Sequence, residues 1–190
     1  MATFRKDGER AQWNAIEQMR NHPEEATPIL RDALRSSRSA HVRAWSATAL
    51  AELEREAAIS DLVASLSDPA MSVRLHAVRA LARLGDAKAA QAVVPLLRDP
   101  SGSVRLNVMD AILRLGLAGA EKEILARADD EKWYVRQRAA RAIAKLNITR
   151  GIILLRSLLN DPHKAVSSEA ERALRAMETT GNVASGLVAR

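Results

Sequence analysis

Valine stands at 42, 73, 104, 135 and 166, a constant step of 31 residues, and each heads the same arrangement of apolar and polar positions. Counting from each Val, offsets 0, 4, 7, 8 and 11 hold apolar or small side chains. Ala49-Leu50, Ala80-Leu81, Ala111-Ile112, Ala142-Ile143 and Ala173-Leu174 occupy offsets seven and eight, and Leu53, Leu84, Leu115, Leu146 or Met177 offset eleven. These offsets trace one face of an α-helix, helix A. One position on, Gly85, Gly116 and Asn147 tolerate a left-handed backbone, so the helix is predicted to stop there, whereas Glu54 and Glu178 break the rule at the two ends. A shorter apolar helix B follows, seen in Ile59, Leu62, Val63 and Leu66, and again in Ile152, Leu155, Leu158 and Leu159. Asp68-Pro69, Asp99-Pro100 and Asp161-Pro162 then precede the next helix A, with Asp130-Glu131 as the variant. Asp is expected to accept hydrogen bonds from that helix's free N–H groups, and Pro to take its first position. Pro95 predicts a kink in its helix B. No period-two apolar run of useful length predicts a strand.

The repeats run over about 37–67, 68–98, 99–129, 130–160 and 161–177. An atypical pair, 9–36, precedes them, with Ala15-Ile16 and Met19 copying helix A and Ala26 to Leu34 forming helix B. Residues 1–8 are expected to be a flexible N-terminus and 178–190 a flexible tail. The last repeat has no evident helix B. Either Val183, Leu187 and Val188 fold back over it, or another chain covers it, leaving open a monomer or a homodimer through that end.

The unit DPAMSVRLHAVRALARLGDAKAAQAVVPLLR, beginning at Asp68, resembles the short HEAT-like repeats of the phycobilisome-lyase type. It has their Asp-Pro turn, Val-Arg, Ala-Leu, Leu-Gly-Asp and closing apolar helix in order, and the resemblance covers about residues 24–177. It implies an all-α chain, a right-handed α-solenoid of stacked antiparallel helix pairs with about eleven helices. The 31-residue period is too short for tetratricopeptide repeats, and the ankyrin and leucine-rich signatures are missing.

Composition then locates the chemistry. The chain carries 29 Lys+Arg against 23 Asp+Glu and no Cys, so a disulfide framework, a thiolate metal site and a Cys nucleophile are excluded. With no apolar run for a signal peptide or a bilayer span, a cytoplasmic protein is the expectation. Offsets three, six and ten of helix A lie away from the core face, and the resemblance places them on the concave side of the solenoid. They read Trp45, His76, Asn107, Arg138, Glu169, then Thr48, Arg79, Asp110, Arg141, Arg172, then Glu52, Arg83, Arg114, Lys145, Ala176. Seven are basic and three acidic, so four of the six net positive charges fall there. With neighbouring helices about 8–10 Å apart, Arg83, Arg114 and Lys145 would form a row of roughly 20 Å. Solvation of an Ala-rich face explains such charges as well as binding does.

The chain has five aromatic residues, and Trp133 and Tyr134 adjoin in front of Val135. They read either as packing in the turn that lacks Pro or as an anchor beside Arg138 and Arg141. Trp45 divides evenly between an anchor and a contact with the N-terminal pair, and Trp13 reads as cap packing. Arg43, Arg74, Arg105 and Arg136 recur beside the core Val in step with Asp68, Asp99, Asp130 and Asp161, which makes them structural ion pairs.

Catalysis finds little support. His22, His41, His76 and His163 are scattered, none in the His-Glu pairs with which HEAT-like deoxyhypusine hydroxylases hold iron, and no phosphate loop or nucleophile elbow is present. Asp110 near Trp133 only faintly echoes the HEAT-like DNA glycosylases. No catalytic, metal or cofactor residue is assigned. The expected function is a non-enzymatic interaction module whose basic groove, from Arg79 to Arg172, binds an acidic protein segment, with Trp133, Tyr134, Trp45 and His76 contributing. The alternatives are nucleic-acid binding through the same face and, from the resemblance, a bilin-lyase-like chromophore chaperone subunit acting with a second chain.

Overall fold

A computed structural model describes residues 14–86, 89, 91–116 and 119–187, with side chains as far as Thr179. All regular structure among the described residues is helical. The expected N-terminal segment 1–8 and Trp13 lie outside the described residues. The chain divides into two compact units, Met1–Ala89 and Ala90–Arg190.

In the first unit, helical residues 14–20 precede α1 (Pro23–Ser36) and α2 (Ala40–Glu54). A 3-10 turn, Arg55–Ala58, leads into α3 (Ile59–Ser65), and α4 (Met71–Leu84) closes the series. The second unit opens with a 3-10 helix, Val94–Arg98, followed by α5 (Gly102–Leu115) and α6 (Glu121–Ala126). After them come α7 (Trp133–Lys145), α8 (Ile152–Leu158) and α9 (Lys164–Leu187). Helices α2, α4, α5, α7 and α9 are the five A helices. Nine α-helices are thus bounded among the described residues, against about eleven expected. Residues 14–20 and the helical Ala89 and Gln91 border undescribed positions, and the later part of the expected helix B of the second repeat is a 3-10 helix. Pro95 sits in the first turn of that 3-10 helix, because it has no N–H to give and its ring excludes the carbonyl four residues back.

The core follows the predicted offsets. Val73, Val104, Val135 and Val166 are fully buried, as are Ala77, Val108, Ala139 and Ala170 one turn later. Val42 is the exception at 38% exposed. From the B side, Leu62, Leu97, Ile124 and Leu155 complete the packing within their units. Helices α4 and α5 end on left-handed Gly85 and Gly116, and Asn147 takes φ +51° after α7. Where Glu54 replaces Gly, the positive φ moves one residue on, to Arg55.

The Asp-Pro turns are built differently from the expectation. Pro69, Pro100 and Pro162 lie two residues ahead of the helices rather than at their first position. Asp68, Asp99, Asp130 and Asp161 each accept one bond at 2.8–3.0 Å from the amide two residues on, so they fold the turn and not the helix end itself. At the other end of the chain, α9 continues past Met177, where the sequence placed a stop, to Leu187. Glu178 has no left-handed preference with which to end it. Val166, Ala170, Ala173 and Met177 face inward, whereas Lys164, Ser168, Glu171, Arg175 and Glu178 are exposed. A polar outer face is what a terminal repeat needs in water.

Gly151, at the entry to α8, is buried against α7: a Cβ there would stand 2.5 Å from Ile143 Cγ2 and 3.0 Å from Leu125 Cδ2. Gly151→Ala is therefore expected to lower stability by about 1–3 kcal/mol through overpacking. The effect reads out as a lower urea midpoint at unchanged m.

Candidate functional site

The recurring arginines hold the turns between repeats, so their charge belongs to the fold and not to a binding surface. Arg43, Arg105 and Arg136 each donate from Nε and Nη2 to both oxygens of the Asp twenty-five residues on, Asp68, Asp130 and Asp161, at 2.6–2.9 Å. The same guanidiniums donate through Nη1 to the carbonyl six residues back, Ser37, Asp99 and Asp130, at 2.8 Å. Arg74 donates to the Asp68 carbonyl in the same way. Arg43, Arg105 and Arg136 thus each tie two turns together, as their sequence positions implied. The Arg105–Asp130 pair is the most enclosed, its side chains 5% and 1% exposed.

The variable face of the A helices follows a second rule. In the first unit Thr48 Oγ1 lies 2.8 Å from His76 Nδ1. In the second, Arg138 pairs with Asp110 at 2.8 Å, and Arg141 donates to both oxygens of Glu169 at 2.9 and 3.0 Å. All three contacts join offset six of one repeat to offset three of the next, twenty-eight residues on. Sequence reasoning assigned these positions to a partner and missed that they satisfy one another, although the spacing was visible.

The remaining residues of that face are placed as follows. Arg83 and Arg20 both pair with Glu52. Lys145 Nζ donates at 3.0 Å to the Leu113 carbonyl, in the last turn of α5, where a cation also meets the negative end of the helix dipole. Arg79 and Arg114 are exposed. Trp45 is half-buried and its Nε1 has no acceptor among the described residues. His76 is held below the usual histidine range by burial and by neighbouring Arg79 and His41, which disfavours its charged form.

Trp133 and Tyr134 reach in opposite directions from the start of α7. The Trp133 ring stacks on His163 of the next turn, centroids 3.9 Å apart and 3° from parallel, and remains 39% exposed. Tyr134 meets Trp133 edge-on and lies over Gly102, where a Cβ would come within 2.6 Å of its hydroxyl. Packing in the turn and an exposed indole therefore coexist at this point.

Helices α7 and α9 enclose an open groove of about 320 Å³. Arg141, Lys145 and Arg172 edge it, Ala144, Ala173 and Ala176 form its apolar floor, and Glu169 lies at its base. Both Glu169 oxygens are engaged, since Arg172 Nη1 also donates to Oε2 at 2.9 Å. The bonds from Arg141, working against burial, hold this carboxylate below its ordinary range. Among the described residues no three His, Asp or Glu side chains are grouped as a metal site requires. No helix among them is long and apolar enough to cross a membrane.

The HEAT-repeat family pattern matches residues 62–123 and 121–187, and the PBS lyase HEAT-like repeat matches residues 42–68. No curated protein matches the sequence. Among solved structures, the chain resembles one in the complex of CpcE and CpcF of phycocyanin lyase from Nostoc sp. PCC7120. That likeness has TM-score 0.66 and 22% identity over 80% of this chain, which spans 65% of the length of that one. It also resembles a designed armadillo repeat protein in complex with the peptide (KR)4, with TM-score 0.62, 23% identity and 85% of both chains covered. An archaeal HEAT-like repeats protein from Thermococcus onnurineus NA1 aligns at TM-score 0.57 and 16% identity, over 88% of this chain and 76% of that one. At these identities the likenesses establish the fold alone. The 31-residue helix pairs, their arginine-tied turns and the family match over most of the sequence make this chain a member of the HEAT-repeat family.

Proposed function

We propose that this HEAT-repeat scaffold is a non-enzymatic protein-interaction module whose second unit receives an acidic segment of a partner protein between α7 and α9. The observation that carries the reading is the composition of that groove. Two arginines stand over a single carboxylate with both oxygens engaged, Lys145 adds a third positive charge to the lining, and the floor is alanine, which leaves room for a partner's side chains. Trp133, exposed at the start of α7, offers an apolar anchor with a polar N–H, and Arg114 adds charge on α5. The designed armadillo relative, of comparable size, takes a charged peptide on a repeat scaffold; there the peptide is basic, and here the charge calls for the opposite sign.

Nucleic-acid binding is the weaker reading. Phosphate ladders need consecutive cations, whereas Arg138 faces Asp110, and Arg141 and Arg172 share Glu169. A bilin-chaperone role rests on fold likeness alone, and no residue of the groove supports it.

The test is fluorescence anisotropy with a labelled twelve-residue peptide of alternating Glu and Leu. Arg114→Glu with Arg172→Glu, both exposed, should weaken binding by about tenfold or more while the helical CD signal is unchanged. Unaltered affinity overturns the proposal. Tighter binding of a single-stranded oligonucleotide, lost steeply with salt, transfers the face to the nucleic-acid reading.

A further inference from the structure

The α7–α9 groove differs from an ordinary patch of surface arginines in how its donors are held. Arg141 and Arg172 are 44% and 71% exposed, yet both are fastened from below by Glu169, whose side chain is only 5% exposed. Arg141 Nη2 and Arg172 Nη1 share Oε2 at 3.0 and 2.9 Å, so these two nitrogens lie no more than about 6 Å apart. The carboxylate thereby fixes the spacing of two guanidiniums whose remaining N–H groups face water. Lys145 also lines the groove, but its ammonium donates to the Leu113 carbonyl at the end of α5, so it adds positive charge nearby while turned to that helix. Three cations against one carboxylate leave an excess of two positive charges at one place.

Resting on the acidic-partner reading, we infer that this groove is a phosphoryl-binding site and that the partner presents a phosphorylated side chain to it. A phosphomonoester brings about −1.5 to −2 charges and three acceptor oxygens. It matches the excess charge, and Arg141 and Arg172 offer it donors from two separate side chains held close together. A ligand carboxylate fits less well. Its best arginine contact is the two-pronged one, and Glu169 already occupies the Nε and Nη2 edge of Arg141. A nucleic-acid strand fits less well again, because the excess charge is confined to one groove while the adjoining Arg138 faces Asp110. The apolar floor of Ala144, Ala173 and Ala176 suits the methylenes that carry a phosphorylated side chain.

The experiment is an amide NMR titration of the full chain with three blocked peptides, Ala-Leu-phosphoSer-Leu-Ala and its Glu and Ser counterparts, with (dT)5 as a fourth ligand. The phosphopeptide is expected to shift the amides of Ala144, Lys145, Ala173 and Ala176 and to bind about tenfold tighter than the Glu peptide, the Ser peptide leaving them unmoved. Arg172→Ala should remove that preference while the spectrum stays dispersed. Equal affinity for the Glu peptide, shifts confined to other helices, or a tighter (dT)5 complex at these amides overturns the inference. If the Glu-Leu peptide of the preceding test binds and the phosphopeptide shows no advantage, the phosphoryl site falls and the acidic-partner reading stands. If neither binds, both fall.

Discussion

Asp130→Ala is expected to cost about 3–5 kcal/mol, the largest loss among single changes at the turns, because it strands the guanidinium of Arg105 in the protein interior. Four donors converge on Asp130: Arg105 Nε and Nη2, the Lys132 amide, and Arg127 Nη1. Arg105 is itself 4% exposed, and the one carboxylate left to it, Glu131 at 3.3 Å from Nη2, is largely in solvent, so the two short bonds to Asp130 are not restored. The same change at Asp68 should cost less, since that pair keeps 12–13% of each side chain in solvent. Urea unfolding of the two variants side by side checks the order, and equal losses would refute the burial argument. Replacing both partners, Arg105→Met with Asp130→Leu, should recover much of the loss by removing the stranded charge along with its counter-ion.

Acid is expected to unfold the protein steeply below about pH 4 and only slightly above it. Burial disfavours the charged forms of Asp61 and Asp130, but arginine hydrogen bonds outweigh it. At Asp68, Asp161 and Glu169 the arginine bonds are the foremost influence, and all five carboxylates sit below their ordinary range. With each folded value beneath the unfolded one, 3.8 for Asp and 4.5 for Glu, the unfolded chain takes up protons first as pH falls. The stability they contribute is whole above the unfolded values and is lost as pH drops through the folded ones. His76 adds a shallow earlier decline. Its value also lies below the ordinary 6.5, so the unfolded chain protonates first there too, and stability slips between 6.5 and the folded value. All five act in the same direction, so their losses accumulate over one pH window. CD melts from pH 8 to pH 2 read both declines, and His76→Gln should erase the upper one alone.

The helices were legible because one period governs them. Val73, Val104, Val135 and Val166 point into the core for the reason their spacing implies, and Arg105 finds Asp130 because both repeat in the same step. What the period hid was the shift of three residues within it. Arg141 and Glu169 belong to offsets six and three, so a column-by-column reading sorts them into different rows, although the rows touch in space. The same blindness made a continuous basic row of Arg83, Arg114 and Lys145, when Arg83 meets Glu52 and Lys145 meets a helix carbonyl. Helix ends were legible where Gly85 and Gly116 speak for them. They were not at Met177, where the stop was inferred from the repeat rather than from any residue able to enforce it.

The turn arginines also bear on how such a chain can change length. Residues 99–129 begin and finish at equivalent seams: the Asp99 carbonyl receives Arg105, Arg105 grips Asp130, and the Asp130 carbonyl receives Arg136. A second copy spliced in after Asp129 would find at its far side the same turn acceptor it has now, although on the A-helix face the first copy's Asp110 would meet Asn107 in place of Arg138. A splice that carried the arginine without its aspartate would instead bury a cation facing nothing. The joints therefore act as a ruler that admits whole cassettes and rejects fractions, so an array of this kind can gain or lose repeats by tandem duplication with its turns intact, only the face pairs beside the new seam being exchanged.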